Sequence, residues 1–202
     1  MNSEIGKKIE VYSLDELPKV GEGFKFFSCI GGSKNYQCFI DSTNLSRADF
    51  MKKYEKEIDI CHKPIYEDED ILIRQDAMYA VPGFYIVATK KSYKNIAQME
   101  LEVYQKCLLF VQRVRRLLKE EYGVNRAFIY YDEHYKKPSS THFWVLPIYD
   151  DVIKENNLNA TILSKDIWEY QELFEFNKTK EEIYKLNKGM TKLLERNFID
   201  EI

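Results

Sequence analysis

The sequence has few residues of the kinds that mark several simple protein classes. Its 202 residues include 8 glycines, 5 prolines, 4 cysteines and 3 histidines. This composition excludes collagen-like and low-complexity chains. The apolar runs are short, far below the roughly 20 residues of a membrane span, so we expect no membrane association. Because the first residues lack an apolar secretion segment, we expect a soluble, cytoplasmic protein.

Common phosphate-binding and metal-binding motifs are also absent. Neither Gly-x-x-x-x-Gly-Lys nor Gly-x-Gly-x-x-Gly occurs in the sequence. The four cysteines (Cys29, Cys38, Cys61 and Cys107) form no Cys-x-x-Cys pair, and only Cys61 adjoins a histidine, His62. Two adjacent side chains rarely close a tetrahedral site without two further ligands. We therefore predict buried free thiols, no metal site and no cofactor.

Aromatic and charged residues are plentiful by contrast. The chain has 15 tyrosines, 12 phenylalanines and 2 tryptophans, enough for a large core, which excludes global disorder. The net charge of −3 makes a nucleic-acid-coating protein an unfavoured interpretation. Residues 90–126 carry nine basic and four acidic side chains, mostly on a helix face. The pairs Lys90–Lys91 and Lys136–Lys137 are better placed to meet a phosphate.

Three zones differ in their sequence pattern, although no repeat or flexible linker separates them. Residues 1–65 mix short apolar stretches with a capping box that predicts a helix over 50–60, and we interpret them as an N-terminal extension packed on the core. Residues 66–149 form the most regular zone. Residues 150–202 are helical and polar, with helices predicted over 167–176 and 179–198, and form a C-terminal helical extension.

The middle zone predicts two strands, a long helix and two further strands. Its strands are predicted over 71–73, 84–88, 126–131 and 142–146, and its helix over 95–122. Asn95 and Gln98 are spaced to cap this helix, and Gly123 is placed to end it in a left-handed conformation. One long helix against two pairs of strands indicates an α+β fold.

The second half of this zone carries the most specific motif. The segment Ser-Thr-His-Phe-Trp-Val-Leu-Pro over 140–147 resembles the closing strand of the histidine-triad (HIT) superfamily, in which His-x-His-x-His precedes two apolar residues and often proline. The alignment puts Ser140, His142 and Trp144 at the three triad positions. Residues 70–93 resemble the strand–aspartate–loop–strand block of the same family. The resemblance implies a HIT-like antiparallel sheet with one long helix, plus helical additions at both ends.

The resemblance also implies a chemistry. The middle histidine of the family attacks the α-phosphorus of a nucleotide conjugate, so His142 would form a covalent nucleotidyl-histidine and pass the nucleotide to water or a second substrate. An imidazole suits this role because it is nucleophilic near neutral pH. Asp76 matches the acidic residue that holds the ribose hydroxyls, and Ile73 and the segment around Tyr79 would flank the base. Three residues are candidates for the phosphate contacts: Lys136, Lys137 and Ser139.

Two replaced triad positions keep other interpretations open. Serine at the first position and the uncharged indole of Trp144 at the third are compatible with a non-catalytic nucleotide-binding module. A third interpretation is an interaction protein that binds a partner through its C-terminal helices. His142 itself also fits an ordinary buried strand histidine. Because family members are often homodimers, we expect a homodimer whose ligand is a nucleotide or a nucleotide conjugate.

Overall fold

The computed structural model describes residues 7–11, 25–29, 36–41, 63–76, 79–132, 139–158 and 164–196. Within these residues the chain forms a three-stranded and a five-stranded antiparallel sheet together with four α-helices. Both sheets are antiparallel throughout, as is typical of an α+β fold. The predicted fold class is therefore confirmed.

The smaller sheet lies in the N-terminal extension. Its strands are β1 (Lys7–Val11), β2 (Lys25–Cys29) and β3 (Tyr36–Asp41), with β3 paired to both neighbours. Two of these strands coincide with the short apolar stretches of the sequence. The helix predicted over 50–60 lies outside the described residues, as do Cys61 and His62. The described part of this extension is thus β-sheet, and the helix predicted over 50–60 stays a prediction.

The larger sheet contains the strands predicted for the middle zone and one short addition. The strands are β4 (Tyr66–Glu67), β5 (Ile71–Gln75), β6 (Tyr85–Tyr93), β7 (Arg126–Asp132) and β8 (Ser139–Ile148), in the order β4-β5-β6-β8-β7. All neighbouring pairs are antiparallel. Strand β8 pairs with a neighbour on each side, which makes it an interior strand of the sheet.

The long helix α1 (Leu101–Glu120) begins later than predicted. Asn95 and Gln98 belong to a separate 3₁₀ turn, and Met99 and Glu100 have extended ψ angles. The carboxylate of Glu100 binds the ammonium of Lys91 and the hydroxyl of Tyr93. These contacts hold Glu100 against strand β6, so the helix begins only after Glu100.

The end of α1 is as the sequence predicts. Gly123 has a φ of +68° and its N–H donates to the carbonyl of Lys119 at 3.1 Å. A glycine adopts this left-handed conformation without the steric cost that a Cβ atom imposes. Cys107, in the middle of the helix, is fully buried, and burial followed by the nearby Asp70 carboxylate raises its pKa to about 12. It is therefore an inert thiol of the core.

Three helices follow the larger sheet: α2 (Asp150–Glu155), α3 (Ser164–Glu172) and α4 (Phe176–Arg196). Met190 and Leu194 of α4 are buried in the same cluster as the inner face of α1. Thr179 is not a helix cap, because α4 begins before it and its hydroxyl donates to the carbonyl of Ala80 at 2.8 Å. Among the helices of the described residues, none is long and apolar enough to span a membrane.

Lys106 connects α1 to the turn between β4 and β5. Its ammonium lies 3.0 Å from a carboxylate oxygen of Asp68 and 2.7 Å from one of Asp70. Burial alone would raise the pKa of Asp68, but the N–H groups of Ile71 and Asp70, then Lys106 and the Tyr66 hydroxyl, together lower it. Asp68 therefore stabilises the fold in its ionised form.

Replacing Asp68 with asparagine is expected to reduce the pH dependence of stability. A lowered folded-state pKa contributes stability that is present above the unfolded value near 3.8 and is lost as the pH falls through the folded value. D68N should be less stable at neutral pH by about 1 kcal/mol and converge on the wild type as the pH falls below the lowered pKa of Asp68. Urea denaturation of both proteins from pH 7 to pH 2 measures the difference in their free energies of unfolding. A difference that stays constant over this range would contradict the prediction.

The connection from β5 to β6 ends in a four-residue turn over 81–84 that contains Pro82 and Gly83. The N–H of Phe84 donates to the carbonyl of Val81 at 3.1 Å, and Gly83 has a φ of +74°. A Cβ atom on Gly83 would lie 3.0 Å from a methyl group of Leu118. Glycine is therefore favoured at this position for two reasons: its φ is positive, and α1 approaches it closely.

The substitution Gly83→Ala is expected to lower the free energy of unfolding by about 2 to 3 kcal/mol, through backbone strain and crowding together. Gly123→Ala is a matched control, because its φ of +68° is similar while nothing lies within 4 Å of the added Cβ. The control should cost about 1 kcal/mol. Equal losses in urea denaturation would show that contact with Leu118 contributes nothing.

Candidate active site

The larger sheet has two different faces, and α1 covers one of them. Ile73, Val87 and Phe143 lie opposite one another on β5, β6 and β8, and they belong to the buried cluster that α1 completes. The intervening residues point the other way, because side chains alternate along a strand. We call this second side the distal face. Two rows of residues cross it: Leu72–Ala88–His142 and Arg74–Ile86–Trp144–Tyr130.

His142 lies half-buried on the distal face of β8. The hydroxyl oxygen of Ser140 is 2.9 Å from its Nε2 atom. The ring of Trp144 meets the imidazole edge-on, with centroids 5.3 Å apart and planes at 85°. Because positions i, i+2 and i+4 of a strand share a face, the three residues that the sequence aligned with the triad are neighbours here.

The contact between Ser140 and His142 fixes the imidazole ring. A hydroxyl donates to an unprotonated ring nitrogen and accepts from a protonated one, so this pair is satisfied in either tautomer. An imidazole titrates near neutral pH and serves as nucleophile or general base. The arrangement therefore offers a positioned, half-buried imidazole beside a polar hydrogen-bonding group.

Trp144 continues the site across the sheet towards β7. Its indole stacks on the ring of Tyr130, with centroids 5.1 Å apart and planes only 6° from parallel. The hydroxyl of Tyr130 accepts a long hydrogen bond of 3.4 Å from the amide of Gln171 on α3. Burial raises the pKa of Tyr130, so its hydroxyl stays protonated. The indole is thus held flat against its neighbour.

A β-bulge in β6 lies next to Ser140 and His142. The pairing of β6 with β8 shifts between Ala88 and Ser92. At this shift, the hydroxyl of Thr89 accepts the N–H of Thr141 at 2.9 Å and donates to the carbonyl of Lys91 at 2.8 Å. Bulges often occur beside active sites, where they redirect side chains. Nothing in the sequence pattern indicated a role for Thr89.

The lysines after this bulge are engaged in ion pairs. The ammonium of Lys90 lies 2.7 Å from a carboxylate oxygen of Glu67, and that of Lys91 pairs with Glu100. Lys91 and then the Tyr93 hydroxyl lower the pKa of Glu100 to about 2. Each of these lysines thus has a carboxylate partner at the surface, and a phosphate would have to compete with it.

Asp76 is buried at the end of β5 and orders the following loop. Its carboxylate accepts the N–H of Tyr79 at 2.9 Å, and its own N–H donates to the carbonyl of Phe84 at 2.7 Å. Only 5% of the residue is exposed. A carboxylate so enclosed holds the loop in shape and has little surface for ribose hydroxyls.

The structure does not bring Ile73 to the candidate site. Its side chain is fully buried under α1 on the opposite side of the sheet from His142. The alternation of β5 instead directs Leu72 and Arg74 to the distal face. Ile73 therefore cannot flank a base bound near His142, and the expectation is corrected for this residue.

The proposed phosphate contacts remain predictions. Lys136 and Lys137 lie outside the described residues. Ser139 begins β8, opposite Tyr93 of β6. In the ranges of the chain that the structure describes, no group of three or more histidine, cysteine, aspartate or glutamate side chains is arranged to hold a metal ion.

Sequence reasoning missed three residues around the site: Tyr130, Gln171 and Trp168. Pairing the strand predicted over 126–131 with the one over 142–146 would have placed Tyr130 beside Trp144. The two α3 residues had no such signal, because their approach to the sheet depends on tertiary packing. Trp168 lies near the loop that Asp76 orders, with its ring centroid 6.0 Å from that of Tyr79.

Comparison with known proteins gives matches in structure only. No protein-family model matches the sequence, and no curated protein sequence matches it significantly. A HIT-like protein from Bartonella henselae is 20% identical, over 69% of this chain and 93% of that one, with a TM-score of 0.43.

Two further solved structures are similar to the same extent. A zinc-bound histidine triad family protein from Mycobacterium smegmatis is 16% identical, over 74% of this chain and 96% of that one, with a TM-score of 0.45. A HIT family protein from Bacillus anthracis is 16% identical, over 68% and 93%, with a TM-score of 0.41.

Proposed function

We propose that the protein is a nucleotide-conjugate hydrolase or nucleotidyltransferase that works through a covalent nucleotidyl-histidine on His142. The observation that carries the proposal is the 2.9 Å contact between Ser140 Oγ and His142 Nε2 on the distal face. This contact positions a half-buried imidazole beside a hydroxyl, and the hydroxyl can rotate away from Nε2 to free the lone pair of that nitrogen for attack.

In the proposed reaction, Nε2 of His142 attacks the α-phosphorus. The N–P bond forms while the bond from phosphorus to the leaving group breaks, and the leaving group takes a proton from solvent. Water or an acceptor hydroxyl then attacks the same phosphorus, loses its proton, and regenerates the free imidazole. During attack, the Ser140 hydroxyl turns from Nε2 to a phosphoryl oxygen, and the Trp144 indole offers an uncharged N–H donor.

The remaining residues of the proposed site support this reaction. Lys136, Lys137 and Ser139 are assigned to the phosphate groups on the basis of the sequence. Asp76 acts as a positioning residue, because its carboxylate holds the N–H of Tyr79 at 2.9 Å and thereby fixes the loop beside the nucleoside. We expect the ligand to lie along the distal face, with its phosphates near His142.

A panel of labelled nucleotide conjugates tests the proposal. Dinucleoside polyphosphates, nucleotide sugars and nucleoside phosphoramidates labelled at the α-phosphorus are incubated with the protein and separated by chromatography. We expect release of a nucleoside monophosphate and protein-bound label that is lost in acid but kept in base. Acid-stable label would place the bond on a hydroxyl and contradict the assignment to His142.

A second candidate function, a non-catalytic nucleotide-binding module, is favoured by the charges around the site. Lys90 and Lys91 are paired with Glu67 and Glu100, so they do not stabilise charge developing on a phosphate. For this function the same panel gives no product with any conjugate, while nucleoside monophosphates raise the melting temperature through binding to the folded state.

A further inference from the structure

Trp168 stands out among the side chains of the C-terminal helices. It is one of only two tryptophans in the sequence, and 59% of it is exposed although it belongs to a helix packed on the sheet. Its neighbours Ile167 and Tyr170 are buried. A large, rigid aromatic side chain left open to solvent beside a polar site is a typical ligand contact.

The position of Trp168 is fixed by the contacts of α3. Tyr170 is fully buried, and its hydroxyl accepts the N–H of Tyr149 at 2.9 Å and donates to the carbonyl of Pro147 at 3.0 Å. One helical turn beyond Trp168, Gln171 is fully buried and donates to Tyr130. These contacts anchor the helix, so the exposed indole does not depend on a ligand for its placement.

Two chains of contacts connect Trp168 with the candidate active site. On one side, its ring lies 6.0 Å from that of Tyr79, whose N–H binds Asp76. On the other side, Gln171 of the same helix contacts Tyr130, which stacks on Trp144 beside His142. The helix that carries this exposed indole thus contacts both Tyr79, which Asp76 binds, and the Trp144 end of the distal face.

We infer that Trp168, with the buried ring of Tyr79 beside it, is a stacking platform for the base of the nucleotide conjugate. This inference rests on the proposed function and assigns the base to the side of the site formed by α3. Every nucleobase has an aromatic face, and stacking on one indole changes affinity by about ten- to a hundredfold. The platform selects conjugates that carry an aromatic base over those that carry only a sugar phosphate.

The test compares a ligand with and without its base. Binding of adenosine 5′-monophosphate and of ribose 5-phosphate is measured by calorimetry for the wild type, Trp168→Ala and Trp168→Phe. We expect Trp168→Ala to weaken monophosphate binding about tenfold or more, leave ribose 5-phosphate binding unchanged, and remove most of the difference between the two ligands. Trp168→Phe keeps an aromatic ring and should retain affinity within about threefold.

Leu109→Ala is the matched control, because it removes an exposed apolar side chain from α1 on the other side of the sheet. It should leave the binding of both ligands unchanged. Equal weakening of both ligands by Trp168→Ala, no weakening, or no monophosphate binding by the wild type would overturn the platform. A dimer that dissociates in Trp168→Ala, seen by sedimentation, would make this residue a contact between copies and also overturn it.

The two proposals fail in different ways. If the conjugate panel gives no product but Trp168→Ala still weakens monophosphate binding selectively, the catalytic function is wrong and the platform stands. If the panel gives product and acid-labile label while Trp168→Ala binds both ligands normally, the reaction stands and the platform is wrong.

Discussion

His142→Ala is expected to lower kcat/KM for cleavage of the best conjugate by roughly 10⁴-fold or more, the scale seen when a covalent nucleophile is removed. The methyl group has no lone pair to attack phosphorus, so protein-bound label should disappear together with product. Nucleoside monophosphate binding should change much less, because the imidazole reacts with the phosphate and does not hold the base. Initial rates and acid-quenched labelling measure the two effects.

Ser140→Ala is the control that separates attack from positioning. Its hydroxyl touches Nε2 of His142 at 2.9 Å, so its loss should misplace the ring and lower kcat by about 10²-fold or less, with labelling still detectable. His142→Gly with added imidazole should recover part of the activity without forming labelled protein. Unchanged turnover in His142→Ala would remove the nucleotidyl-histidine mechanism from consideration.

Tyr170→Ala is expected to lower the free energy of unfolding by about 4 kcal/mol, the usual cost of removing a large buried ring. Its side chain is fully buried against Phe174 and beside β8, and its hydroxyl joins the N–H of Tyr149 to the carbonyl of Pro147. The truncation leaves a cavity and two polar groups without their partner. Urea denaturation followed by circular dichroism measures the loss.

Tyr170→Phe isolates the hydroxyl from the ring. It keeps the packing and should cost about 1 to 2 kcal/mol for the two backbone groups left unsatisfied. A loss below 0.5 kcal/mol in Tyr170→Ala would show that α3 is only loosely attached to the sheet. That outcome would favour the interpretation in which the C-terminal helices bind a partner, since their apolar side chains would then be free to leave the core.

Much of the larger sheet and α1 follows from local sequence. Gly123 marks the end of α1 because only a residue without Cβ takes its φ freely. The apolar residues of β5, β6 and β8 alternate or run together as buried strands do. The predicted start of α1 was wrong because the spacing of Asn95 and Gln98 matches a helix cap when only the local sequence is considered. The helix begins after Glu100 because the carboxylate of Glu100 contacts Lys91 and Tyr93 of β6.

The candidate site was predictable where its residues follow one another along one strand. The alternation of side chains along a strand is enough to predict that Ser140, His142 and Trp144 lie on one face. Ile73 was misplaced because a motif alignment gives a position along β5 but not the face to which its side chain points. Trp168 approaches the site from a helix beyond the motif, and such contacts depend on tertiary packing that no local pattern encodes.

The interior position of β8 sets the mobility of the candidate nucleophile. His142 lies in a strand that is hydrogen-bonded to β6 on one side and β7 on the other. It forms the last pair of the β7 ladder, opposite Asp132, and the last pair of the β6 ladder before the bulge, opposite Ala88. Its amide should therefore exchange hydrogen through local opening at this end of the ladders, faster than the amides in the middle of β8. The backbone of His142 can therefore adjust to successive substrates at the bulge, while the rest of β8 stays fixed between its two neighbours.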